Sequence, residues 1–213
     1  PDEESGFVPV GERSPLDRWI LSKVTEMADG YHTNFVSWDF HKAGRGLEDF
    51  VVNDLSNWYV RRSRRRLWDE ADSNDKRACQ HTLHEVLLVV CRLMAPVSPF
   101  TPDHIHRSLT GSSVHLADWP VGSEIVDRSL PERDFGLEQE MALVRSLAEA
   151  GRRIRVDSNR RQRLPCRTGW IVGGPDISRF GEILAEELNV EVLSTEKDLD
   201  AFQRIVLEPN RKV

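Results

Sequence analysis

Five arginines crowd into six positions, Arg61, Arg62, Arg64, Arg65 and Arg66, inside the segment LSNWYVRRSRRRLW at 55–68. Helical spacing puts Trp58, Arg61, Arg65 and Trp68 at i, i+3, i+7 and i+10, a single predicted stripe. Guanidinium groups offer phosphates a planar fork of donors and indoles offer unstacked bases a flat partner, so the segment suits a nucleic acid. No acid intervenes within 61–66, which leaves like charges that a polyanion would relieve. A competing reading makes the run a solvated helix face paired with Asp49, Asp54, Asp69 and Glu70. In that reading the indoles belong to the core and the arginine stems pack over them.

A second basic tract occupies 152–167, where seven arginines face the single acid Asp157. Cations at a helix C-terminus complement the macrodipole, but one or two suffice for that. The excess, with Arg160, Arg161 and Arg163 foremost, points to a second surface turned toward phosphate.

Other chemistries find less support. His81 and His84 lie three apart near Cys79, yet metal sites generally need three or four convergent ligands, and the neighbouring Val86 and Leu87 belong to a predicted core face. His104 and His106 point to different faces of a helix. The chain carries no nucleophilic triad, Walker loop or GxGxxG, and TGWIVGGPD at 168–176 lacks the glycine pattern and lysine of a nucleotide cradle. No catalytic residue is assigned, and no metal or cofactor is expected in this segment.

The elements that would hold these side chains are mostly helices. Ser14, Pro15 and Asp17 read as N-cap, first helical residue and acidic N3, and the helix they start buries Leu16, Ile20, Val24, Met27 and Tyr31. A second helix from near Ser37 carries Phe40, Leu47, Val51, Leu55 and Trp58 toward the arginines. Gly44 and Gly46 predict a kink, break or close helix contact within it. The polar stretch at 69–75 ends that element. A strongly apolar helix follows from Lys76 to Met94 and stops at Pro96 and Pro99. Thr101 then reads as the cap of a shorter helix with Pro102 first and Gly111 as its C-terminal glycine. Beyond a charged loop, a helix from about Leu137 uses Met141, Val144, Ala148 and Gly151 inward and runs to the arginines near Arg160. The tail reads as strand (TGWIVGG), helix (DISRFGEILAEELN) and two strands (VEVLS and FQRIVLEP).

The fold class is therefore mainly α, a helix bundle followed by a small α+β appendage. The expected divisions are the bundle over 1–120, a linker and long helix with a basic end over 121–165, and the appendage over 166–213. At 213 residues, 39% hydrophobic and 30% charged, the chain can bury a real core. No run approaches the roughly 20 apolar residues of a membrane span, and PDEESG does not read as a signal peptide. Three scattered cysteines without a CxxC pair fit a reducing compartment, and a cytoplasmic location follows. Net charge is −6. The two basic tracts together hold +11, which leaves −17 on everything else and focuses positive potential onto limited surface. A start without Met, in a loop-like acidic stretch, suggests a piece of a larger protein.

The order of LDRWILSKV, LSNWYVRRSRRRLW, Asp75-Lys76 before a long apolar helix closing in LMAPVSPF, and SSVHLADWP resembles the anticodon-binding helical domain of the isoleucyl-tRNA synthetases. These are class I aminoacyl-tRNA synthetases. MALVRSLAEAGRRIR leading into RQRLPC, then ELNVEVL and LEPNRKV, resemble the segments that follow in that family, so the likeness runs from about Ser14 to Val213. Two local departures stand out. The family's acidic pair and tyrosine appear as DHIH (103–106), and the turn reads Arg163, Leu164, Pro165, Cys166, where glutamine before the proline and leucine after it are commoner. The HIGH-like and KMSKS-like signatures of the ATP-binding domain are absent from the sequence.

The resemblance implies a tRNA-reading C-terminal portion of an enzyme that ligates isoleucine to its tRNA with ATP and Mg2+. The partners it implies are an isoleucine-accepting tRNA and the remainder of the synthetase polypeptide, with no membrane. Ligation and editing would lie outside this chain, which would be inactive alone. The residues it draws in are Trp58, Arg61, Arg62, Arg65, Arg66 and Trp68, with Arg160, Arg161 and Arg163. Two alternatives are an arginine-faced protein-interaction module and the equivalent domain of a valyl or leucyl relative.

Overall fold

The computed structural model describes residues 7–71, 73–120, 131–172, 177–196 and 204–209. The acidic start, the charged loop at 121–130, the glycines ending TGWIVGG, Phe202, Gln203 and the last four residues lie outside them. Two compact units divide at Phe135 and Gly136.

The first unit is the helix bundle. Helix α1 (Pro15–Val36) starts as its sequence dictates: Ser14 Oγ accepts from the Asp17 amide at 3.2 Å and donates to Asp17 Oδ2 at 2.8 Å. All five predicted inward residues of α1 are buried, joined by Trp19 and Leu21. At its far end, Trp38 adopts φ 63, the left-handed region. The Asp39 amide donates to the Asn34 carbonyl at 2.9 Å and the Trp38 amide to that of Phe35 at 3.1 Å. This is a Schellman ending with tryptophan where glycine is usual, at a backbone cost of about 1–2 kcal/mol.

Helix α2 (Phe40–Asp49), capped by Asp39, runs without interruption into a π-helical stretch (Phe50–Val60) and then α3 (Arg61–Trp68). The irregularity expected at Gly44 and Gly46 falls one turn later. Those glycines sit in regular helix, and a Cβ on either would touch nothing within 4 Å, so no close contact required them. In the π stretch the buried side chains, Phe50, Asp54, Leu55, Trp58 and Tyr59, recur four and five apart, as a turn wider than 3.6 residues allows.

Helix α4 (Asn74–Met94) is capped by Ser73, which accepts from the Lys76 amide at 3.1 Å. It buries Ala78, Val86, Val90 and Leu93, while Leu83 and Leu87 remain partly exposed. Helix α5 (Phe100–Thr110) begins before Thr101, with Pro99 preceding it and no side-chain cap, so Thr101 lies in its first turn. Gly111 ends it at φ 77, as expected from sequence. Asp103 on α5 ties down the following short 3-10 turn (Val114–Leu116), accepting from Ser113 Oγ at 2.6 Å, the Val114 amide at 3.0 Å and Arg107 Nε at 2.7 Å.

Nearly all of helix α6 (Phe135–Asp157) falls in the second unit, which also holds α7 (Gly181–Leu188) and three strands, β1 (Cys166–Val172), β2 (Val190–Glu196) and β3 (Arg204–Pro209). The central β1 pairs parallel with β2 and antiparallel with β3. Helix α6 stops at Asp157, short of Arg160, and the predicted appendage helix is α only from Gly181, after a 3-10 turn at Ser178–Phe180. Gly151 is buried because α6 meets α7 there. A Cβ on it would fall 2.2 Å from Leu188 Cδ2.

Among the described residues no helix is long and apolar enough to cross a membrane. Cys79, Cys91 and Cys166 are free and buried.

Candidate nucleic-acid interface

Helix α3 presents its arginines unequally. Arg61, Arg64 and Arg65 are exposed, Arg62 and Arg66 are half-buried, and Ser63 faces the bundle. The predicted stripe from Trp58 to Trp68 does not form, since Trp58 is 6% exposed and Trp68 is 84% exposed. Trp58 lies in the π stretch and so loses the 3.6-residue phase that would align it with α3. It supports Arg62 instead, whose guanidinium carbon stands 4.4 Å from the ring centroid. The outward set is Arg61, Arg64, Arg65 and Trp68, an i, i+3, i+4, i+7 face of three cations and an indole.

The inward side of α3 explains why that face is held so firmly. Arg66 forks onto Asp17, with Nη1 to Oδ1 at 2.9 Å and Nη2 to Oδ2 at 2.6 Å, and also reaches Asp75 through Nε and Nη2 at 2.7 Å. Asp17 is fully buried and accepts as well from the Tyr59 hydroxyl at 2.6 Å. Burial works against the Arg66 charge, yet the hydrogen bonds to Asp17 and Asp75 outweigh it and hold the pKa above the ordinary guanidinium value. Burial first, then the Asp17 charge, pushes the Tyr59 phenol far above its usual value and keeps it a donor. Arg66, named from sequence beside its neighbours, is committed to the bundle rather than to the outward face. Neither of its acids is among the four suggested by spacing, because Asp17 is 49 positions away.

The second tract divides in the same way. Arg155 is 1% exposed and donates to the carbonyls of Leu164 at 2.7 Å, Leu188 at 2.6 Å, and Arg161 and Asn189 at 3.2 Å. It fastens the 158–165 turn to the C-terminus of α7, where a cation also meets the helix dipole. Arg152 pairs with the buried Glu187 at 2.7 Å. In the turn itself, Arg161 and Arg163 are exposed and Arg160 is half-buried. Sequence reading gave no special place to Arg155, whose one local signal is its position four after the inward Gly151.

Arg13 is also an internal cation, 3% exposed, that grips both oxygens of Glu85 at 2.8 Å. The histidines do not converge. His81 stacks on Phe7 with centroids 5.7 Å apart, His84 is exposed, and Cys79 lies buried against the Tyr59 hydroxyl. His106 is buried with Nδ1 2.9 Å from the Ser112 carbonyl oxygen, while His104 is exposed. Among the described residues no three His, Cys, Asp or Glu side chains could hold a metal ion.

Residues 17–168 match the family model of the anticodon-binding domain of tRNA ligase. Similar curated proteins are the isoleucine–tRNA ligases of Thermobifida fusca (43% identical, covering 84% of this chain), Deinococcus radiodurans (40%, covering 96%) and Chlamydia trachomatis (33%, covering 93%). The chain spans 17%, 19% and 19% of those relatives' own lengths, about a fifth.

Proposed function

Because the chain belongs to the anticodon-binding domain family of the tRNA ligases, we propose that it is the RNA-reading portion of an isoleucine–tRNA ligase and binds the anticodon arm of an isoleucine-accepting tRNA. The observation that carries this reading is the outward face of α3, where Arg61, Arg64, Arg65 and Trp68 stand exposed over a bundle clamped by Arg66. Guanidinium forks there meet anticodon-stem phosphates, and the Trp68 indole offers a plane to an unstacked base. Arg62, stiffened over Trp58, adds a cation at the edge of that face. Arg160, Arg161 and Arg163 form a second phosphate contact in the other unit. Phosphate contacts supply affinity and register, and base edges supply the choice of tRNA.

Ligation with ATP and Mg2+ belongs to the remainder of the polypeptide, the second partner of this chain, in the cytoplasm. The chain alone binds but does not ligate. Affinity for an isoleucine-accepting anticodon stem-loop, titrated against salt, should fall with a log–log slope of about −0.7 to −0.9 per phosphate neutralised. The double variant R61A/R65A should flatten that slope by about 2. A slope near zero in the unmodified chain would remove the reading.

A further inference from the structure

The corner between α1 and α2 carries a tryptophan that the fold does not need. Trp38 is 80% exposed and sits at φ 63. The other non-glycine residues with positive φ among those described are Asn159 and Asn189, a side chain that tolerates this region far better. Glycine would satisfy the same Schellman hydrogen bonds with less strain and without an indole in water. The ring nevertheless touches its neighbours on the corner. It meets Phe40 edge-on at 5.7 Å, Phe40 meets Phe35 at 5.0 Å, and Phe35 meets Trp119 at 5.7 Å, a ladder running back into the bundle. The charges that follow Phe40 have one sign. His41, Lys42 and Arg45 open α2 with no acid between Phe40 and Leu47, and Asp39 is occupied as the cap and as the partner of Lys42 at 2.7 Å. Arg45 is exposed, about 7–8 Å along the axis from Phe40.

We propose that Trp38 is a stacking platform for an unpaired base of the bound RNA loop, with Arg45 on the phosphate beside that base. This rests on the RNA-reading role above and adds a contact outside the α3 face. A strained, exposed π surface braced by Phe40 and followed by the cations of α2 matches a base with its flanking phosphate, since stacking is indifferent to base identity while cations track the backbone.

The test is binding of the isoleucine-accepting anticodon stem-loop, at low salt, to the 213-residue chain and its variants. W38G should weaken binding about 5- to 150-fold, the range that loss of one base–aromatic stack spans. Its melting temperature should be unchanged or raised by about 2–4 °C. W38Y, which restores a ring, should recover most of the affinity, and the salt slope of W38G should match that of the unmodified chain. If W38G binds as tightly as the unmodified chain while R61A/R65A binds weakly, the platform is excluded and RNA reading stands. If W38Y is as weak as W38G, the ring is not the contact and the proposal also fails. If the unmodified chain does not retain the stem-loop at all, the RNA-reading role falls and takes this inference with it.

Discussion

Arg66 and Arg65 are neighbours in sequence and opposites in role. Arg66 is the counter-charge of a fully buried carboxylate, and removing one partner of such a pair strands the other in low dielectric at about 3–5 kcal/mol. R66A should therefore lower stability by about 3 kcal/mol or more, read from the urea midpoint. R65A should leave the midpoint within about 0.5 kcal/mol. An R66A chain as stable as R65A would refute the division between clamp and contact. Sequence could not draw this line. Exposure inside an arginine run depends on which positions a partner helix covers, and Asp17 reaches Arg66 only through the tertiary fold.

Elements were more legible than roles wherever their signals were local. Ser14-Pro15-x-Asp17 announced α1 to the residue, and Gly111 announced the end of α5, because caps are written within a few positions of the ends they make. Gly44 and Gly46 misled for the same reason in reverse, since helix propensity is a weak prior that packing overrides. The π stretch had no composition to betray it. Nor did Asp103, whose bonds to Arg107, Ser113 and the Val114 amide hold its carboxyl well below the usual carboxylate range. A depressed pKa contributes stability that is present above the unfolded value and lost as pH falls through the folded one. D103N should thus melt earlier than the unmodified chain at pH 7, and the gap should close below about pH 4, where the unfolded carboxyl takes up its proton. A gap that persists unchanged at pH 2 would mean that the Asp103 charge does not hold the turn.

At the scale of the whole molecule, a net charge of −6 stands against two arginine tracts. Steering by such a field accelerates association by about 10- to 1000-fold and is lost to salt. Stopped-flow association with the stem-loop should slow by at least about tenfold from low to high ionic strength, and R61A/R65A should show a shallower decline. Equal salt sensitivity in both chains would locate the guiding field elsewhere. The mainly helical bundle with a small sheeted appendage was legible from periodicity and turn residues, and the family from ordered motifs. Which cations face outward was not.

The π-wound stretch between α2 and α3 works like a thread cut at a coarser pitch than the screw on either side. Wound instead at ordinary α pitch, the same eleven residues would turn everything downstream by about half a turn, carrying Arg61, Arg64 and Arg65 toward the bundle and Arg66 out of it. The aim of the basic face is thus set by the winding of 50–60, and a helix rewound there would keep every side chain of 61–68 yet present the wrong ones.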